Sequence, residues 1–169
     1  MPNPGNKRVY TTEIPEGGVC LSSFLIVTDS SGGVLMGHLN PKAPWDQIRA
    51  LDAERARTHS RGWMLPSSHL MLLESPQEAA QRILREQLGM QGVELSEPMV
   101  VAEVGTPRRF SSLQRHWDFE FIFRAKAPSG TPPRNEAWTE LRYIDPTQTR
   151  RQDVARSHDE VLENAGFRF

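Results

Sequence analysis

The chain of 169 residues carries 20 basic and 21 acidic side chains, a formal net charge of −1. That length suits one domain with a sizeable core and is too short for two comfortable ones. The balanced charge excludes the broad basic surface of a nucleic-acid-coating protein, so any anion site must be local.

The opening "MPNPGNKR" has no apolar run of the kind a secretory leader needs, and no stretch reaches the ~18 apolar residues of a membrane span. The single cysteine, Cys20, excludes an internal disulfide framework and fits a reducing compartment, so a cytoplasmic location is expected. "VCLSSFLIVTD" (Val19 to Asp29) is rich in β-branched and apolar residues and predicts a largely buried strand. "DSSGG" supplies turn chemistry, and "VLMGHL" (Val34 to Leu39) reads as the returning strand of a hairpin. "PWDQIRALDAERARTHS" (Pro44 to Ser60) reads as an amphipathic helix or a long ordered loop.

"ESPQEAAQRILREQLGM" is the clearest helix. Ser75 can cap it, Pro76 suits its first turn, Glu78 completes a Ser-x-x-Glu capping box and Gly89 stops it. Ile83 joins Ala79, Ala80, Leu84 and Leu88 in a wide apolar stripe. "MVVAEVG" and "LRYID" predict short strands. "HWDFEFIFRA" alternates, with Trp117, Phe119, Phe121 and Phe123 on one face and His116, Asp118 and Glu120 on the other. "KAPSGTPPRN" is a Pro-rich loop, and "HDEVLENAGF" predicts a short closing helix ending at Gly166. Strands on both sides of a central helix, without regular βαβ alternation, predict a mixed α/β sandwich. The expected unit is one domain over 1–169, with a core of about 17–146 and a C-terminal segment 147–169.

This order, with "WMLPSSHL...ESPQEAAQRILREQLGM" at its centre, resembles the Nudix hydrolases, whose signature is G-x5-E-x7-R-E-U-x-E-E-x-G-U with U aliphatic. Laid on without gaps, the signature puts Ser68 at the first glycine, Glu74 at the first glutamate and Arg82 at the arginine. Leu84 falls on the first aliphatic position, and Gly89 and Met90 on the last two. The likeness covers roughly Val19 to Asp145. It implies a Nudix-like mixed sheet in an α/β/α sandwich, Mg2+ or Mn2+ as cofactor, and a nucleoside diphosphate-linked small molecule as substrate. In the family, three carboxylates of the helix hold the ions. Here the segment reads Arg82-Ile83-Leu84-Arg85-Glu86-Gln87, so Ile83 and Gln87 replace two of them and Glu86 alone survives. Magnesium wants oxygen ligands in near-octahedral array; a glutamine carbonyl can contribute and an isoleucine cannot.

The resemblance makes Glu86, Glu74, Arg82 and Glu140 the catalytic candidates, with Glu86 and Glu140 as metal ligands and Glu136 as substitute for Glu140. Glu74 and Arg82 are spaced so that the loop glutamate reaches the helix arginine, and in the family that pair mostly braces the loop. Position 83 is expected to border the cleft. Arg108, Arg109, His69 and Glu120 are the candidates for binding substrate, because arginine forks suit phosphates and the other two could face the cleft; Arg115, Trp45 and Trp63 are further candidates. His116, Asp118 and Glu120 share a strand face, but side chains about 7 Å apart cannot easily converge on one ion. Three functions stay open: a metal-dependent hydrolase of weak or re-routed activity, a catalytically inactive module that binds a nucleotide-type ligand, and a protein-interaction scaffold. Neither nucleic acid nor membrane is expected as a partner, and a homodimer is left open.

Overall fold

The computed structural model describes residues 14–45, 61–105, 115–128 and 135–169. Most of the helix expected over Pro44 to Ser60, together with Arg108, Arg109 and the middle of the Pro-rich loop, lies outside them.

Six strands form one mixed sheet. They are β1 (Val19–Thr28), β2 (Val34–Leu39), β3 (Ser67–His69), β4 (Met99–Gly105), β5 (His116–Lys126) and β6 (Trp138–Ile144). Helix α1 (Pro76–Leu88) falls between β3 and β4, and α2 (His158–Asn164) closes the chain after 3-10 turns at Pro146–Gln148 and Arg151–Asp153. The order across the sheet is β4-β5-β1-β2-β6. β1 runs parallel to β5 from Val19↔Trp117 to Thr28↔Lys126. A parallel pair needs a crossover, which the long connection containing α1 supplies. The other edge of β1 is shared: β3 pairs with Ser22 to Phe24, and β2 joins at Thr28↔Val34. β3 is three polar residues with no period to read in the sequence; Ser68 is drawn into the sheet by pairing with Ser23.

Strand alternation builds two cores. Leu25, Val27 and Phe123 face α1 and pack with its Ala80, Ile83, Leu84 and Leu88. Phe24, Ile26 and Ile122 face the other way and pack with Val161 and Leu162 of α2. Both faces of the sheet are therefore covered, which is why β1 reads as a nearly continuous apolar run. Where β2 meets β6, Gly37 has no room for a side chain: a Cβ there would stand 2.6 Å from the Glu140 carbonyl oxygen and 2.6 Å from the Trp138 ring.

Candidate functional site

The approach to α1 is built from its own sequence. Ser75 accepts from the Glu78 backbone N–H while the Glu78 carboxylate accepts from the Ser75 N–H, and Gly89 ends the helix in the left-handed conformation at φ 63°. Ahead of it, Met71 to Glu74 make a tight turn that leaves Leu72 and Leu73 almost wholly exposed, with Leu73 at φ 67°.

This turn is clamped to the helix by one side chain. Arg82, only 5% exposed, donates from Nε and one terminal nitrogen to the two Glu74 oxygens at 2.7 and 2.8 Å. It donates further to the Ser68 hydroxyl at 3.1 Å and to the His69 carbonyl at 3.0 Å. Glu74 also accepts from the Met71 N–H at 2.9 Å. The Arg82 fork holds the Glu74 carboxyl below its ordinary value. Both ends of this bidentate pair are thus spent on binding helix, turn and β3 together. Ser68, at the family's glycine position, is one of the clamp's acceptors.

The two departures from the signature have structural occupations. Ile83 is 0% exposed in the core beneath α1. The expectation that position 83 borders the cleft is therefore corrected: the apolar stripe of the helix takes it inward. Gln87 is buried, and its amide donates to the Ser67 carbonyl at 2.7 Å. A carboxylate could not make that bond, because it has no proton to give. Glu86 differs from both. One of its oxygens lies 3.2 Å from Arg85, and the other is enclosed with no hydrogen-bond partner. The carbonyls at this end of α1 are tied to the start of β6, where Asn135 donates to Glu86 O and the Trp138 indole to Gln87 O. Neither contact is visible in residue spacing.

Among the described candidates, Glu136 adjoins Asn135, which bonds to the Glu86 carbonyl, whereas Glu140 and Glu120 belong to the other side of the sheet. Glu140 is paired across the sheet with His38, whose ring packs at a tilt against Trp63, 4.2 Å between centroids. Its strand neighbours Leu141 and Tyr143 pack toward α1 and Ile144 toward α2, so Glu140 belongs to the α2 side and bonds to Arg142. Glu120 is on that side as well, in register with Ser22 and Val101. It is 8% exposed, and burial, reinforced by Asp118, Glu103 and Glu160, pushes its pKa up to about 8. Burial also raises Asp118, against the pull of His116. His69 is half-buried, with its carbonyl in the clamp, while Glu136 and Arg115 are exposed. Trp45 is buried and donates to the Asn40 carbonyl. Among the described residues no three His, Cys, Asp or Glu side chains are placed to hold one metal ion, and no helix is long and apolar enough to cross a membrane.

A model of the NUDIX domain matches residues 24–165. No curated protein matches the chain significantly. Among solved structures, the chain is similar to the NUDIX domain of Shewanella oneidensis NrtR, crystallised with ADP ribose: 14% identity, 97% of this chain and 91% of that one, TM-score 0.58. It is also similar to the E. coli dihydroneopterin triphosphate pyrophosphohydrolase, at 13% identity over 79% of this chain and 83% of that one, TM-score 0.53. A third likeness is to RenU, a Nudix hydrolase from M. smegmatis: 19% identity, 92% of this chain and 95% of that one, TM-score 0.51. At these identities the likenesses establish a shared fold.

Proposed function

The chain belongs to the NUDIX domain family, and from that premise we propose that it is a ligand-binding Nudix protein. Its ligand is a nucleoside diphosphate-linked small molecule, and it hydrolyses that ligand slowly at best. The observation that carries this reading is the burial of the two substituted box positions. Ile83 is core and Gln87 is bonded to Ser67, so α1 can turn only one of the three signature carboxylates toward an ion.

Mg2+ or Mn2+ would supply charge neutralisation and an activated water to a diphosphate. The donors here fit such an ion poorly. Glu86 offers one enclosed, unpartnered oxygen. Ile83 offers none, Gln87 is committed elsewhere, and Glu140 lies on the other side of the sheet. A tightly held, near-octahedral ion needs more oxygens than that. What remains intact is the frame: the Arg82 clamp, the capped helix and the β3 edge, which together keep the loop in shape. The ADP ribose bound by the NrtR domain supports choosing that compound as the first ligand to try. The unpartnered Glu86 oxygen is what leaves room for slow hydrolysis within this reading.

The test is calorimetry of the full chain with ADP-ribose, a dinucleoside polyphosphate, a nucleotide sugar and NADH, each with and without Mn2+, beside a turnover assay on the same compounds. Binding of one compound without metal, with little or no turnover, is the expected result. Turnover at ordinary enzyme rates, about 1–1000 per second, would overturn it in favour of a rebuilt catalytic site. Silence from every compound would leave the scaffold reading.

A further inference from the structure

β4 closes one side of the sheet, paired with β5 and with no other strand among the described residues. Every second residue of such an edge turns its backbone N–H and C=O outward, a template for another strand. Edges are commonly blunted by lysine, proline or a bulge. The seven residues of β4 (MVVAEVG) contain no lysine or proline, keep an unbroken register with β5, and carry one charge, Glu103. The side chains of one face extend this open edge. Val100, Ala102 and Val104 stand opposite Phe121, Phe119 and Trp117 of β5, which in turn stand beside Ser23, Leu21 and Val19 of β1. Phe121 packs toward α1, so the row lies on the α1 side. There α1 packs over Leu25, Val27 and Phe123. Farther along the same strands the face is open: Val100 and Val104 are 53% and 49% exposed, and Ala102, Val19 and Leu21 are exposed as well. A contiguous apolar patch of this kind marks an interaction surface.

We propose that β4 pairs antiparallel with the β4 of a second copy of this chain, joining two sheets into one across a two-fold axis normal to them. The strand's own sequence selects that occupant. Such an axis makes the α1 side of one copy continuous with the α1 side of the other, so one residue of the strand must face itself. A pairing centred on Glu103 would set two carboxylates directly opposite each other, which is destabilising. A pairing centred on Ala102, the middle of the strand, matches all seven residues. Val100 then faces Val104 on both sides of the axis, Ala102 faces Ala102, and Glu103 faces Val101. The smallest side chain of the open row sits at the axis, and the valines that are exposed in one copy cover those of the other. Neither the signature helix nor its ligand takes part, so the pairing holds or fails independently of the diphosphate reading.

The test is sedimentation velocity of the full chain over a concentration series reaching about 100 μM, beside Ala102→Asp, Ala102→Cys and Val100→Cys. Wild type should move from monomer toward a species of twice the 19.2 kDa chain mass as concentration rises. Ala102→Asp brings two carboxylates together at the axis and should weaken the dimer at least about tenfold. In the dimer the two Cα atoms of residue 102 stand about 4.5–5.5 Å apart, within reach of a disulfide. Ala102→Cys should therefore give a covalent dimer on mild oxidation, read on a non-reducing gel against wild type. Val100→Cys should not, because the two copies of that position are offset by four residues, about 13 Å. The cysteine variants decide the matter even if Ala102→Asp fails to fold. A monomer at every concentration, an assembly that grows past a dimer, a folded Ala102→Asp protein that dimerises undiminished, or equal cross-linking at 100 and 102 would each overturn the inference.

Discussion

Arg82 illustrates how far one side chain can organise a loop. Its guanidinium serves four acceptors while 5% exposed, so removing its carboxylate partner leaves a buried cation uncompensated. Glu74→Ala should therefore cost about 3–5 kcal/mol, measured by urea denaturation; a loss under about 1 kcal/mol would mean that the pair behaves as an ordinary surface bridge. Leu73 is the opposite case, a branched residue held at φ 67° with its side chain in solvent. Glycine tolerates that backbone freely, at some entropic cost in the unfolded chain. Leu73→Gly should be stabilising by about 0.5 kcal/mol, and a clear drop in Tm would show that the leucines of this turn are packed against something in solution.

At the scale of the element, α1 is specified at both ends by its caps and along its length by its stripe. Leu84 is 1% exposed against the sheet, so Leu84→Ala should cost about 2–5 kcal/mol in the same denaturation assay. Ile83 belongs to the same packed layer. Rebuilding the signature there is therefore expected to cost stability before it can supply a metal ligand. Ile83→Glu places an ionisable group where the core admits no water, and the expected outcome is a loss of several kcal/mol. Gln87→Glu removes the donor to Ser67 and should cost about 1–3 kcal/mol. A folded Ile83→Glu protein of near wild-type stability, gaining hydrolysis with Mn2+, would show that this face of α1 opens to the cleft.

For the whole molecule, two buried titratable groups shape stability against pH in opposite senses. His158 accepts from the Leu65 N–H, and burial holds its pKa at about 3 against an ordinary 6.5. Between those values the unfolded chain binds the extra proton, so stability falls as pH drops below 6.5. Glu120 is raised from 4.5 to about 8. Between those values the folded chain holds the extra proton, so stability is fullest below 4.5 and falls as pH rises through 8. Thermal melts of wild type and Glu120→Gln should therefore diverge toward pH 8, with the variant higher. Curves that stay parallel from pH 5 to pH 8 would show that Glu120 is solvated. In the same whole-molecule frame, Mg2+ without ligand should bind at millimolar strength or weaker. Micromolar affinity by calorimetry would mean that carboxylates from elsewhere complete a site.

Local signals were sufficient for the longer described elements, though not for the three residues of β3. The capping box at Ser75 and Glu78, the left-handed stop at Gly89 and the alternation of β5 all depend on neighbours a few residues away, so each was legible before any fold was known. The zero-gap spacing from Ser68 to Met90 likewise carried the family, because a loop and a helix built by short-range contacts keep their numbering. Partnership across the sheet was not legible. Glu140 and Glu86 look like one metal site on paper and lie on opposite faces, since a strand's facing depends on its register and its bulge at His38/Leu39. Glu120 read as a strand residue that could face the cleft; its burial on the α2 side was decided only when the strands and α2 came together. Ile83 could be read as either a lost ligand or a core residue; the packing of α1 on β1 and β5 decided for the core, because burial is a property of the assembled layers and not of the helix that supplies the side chain.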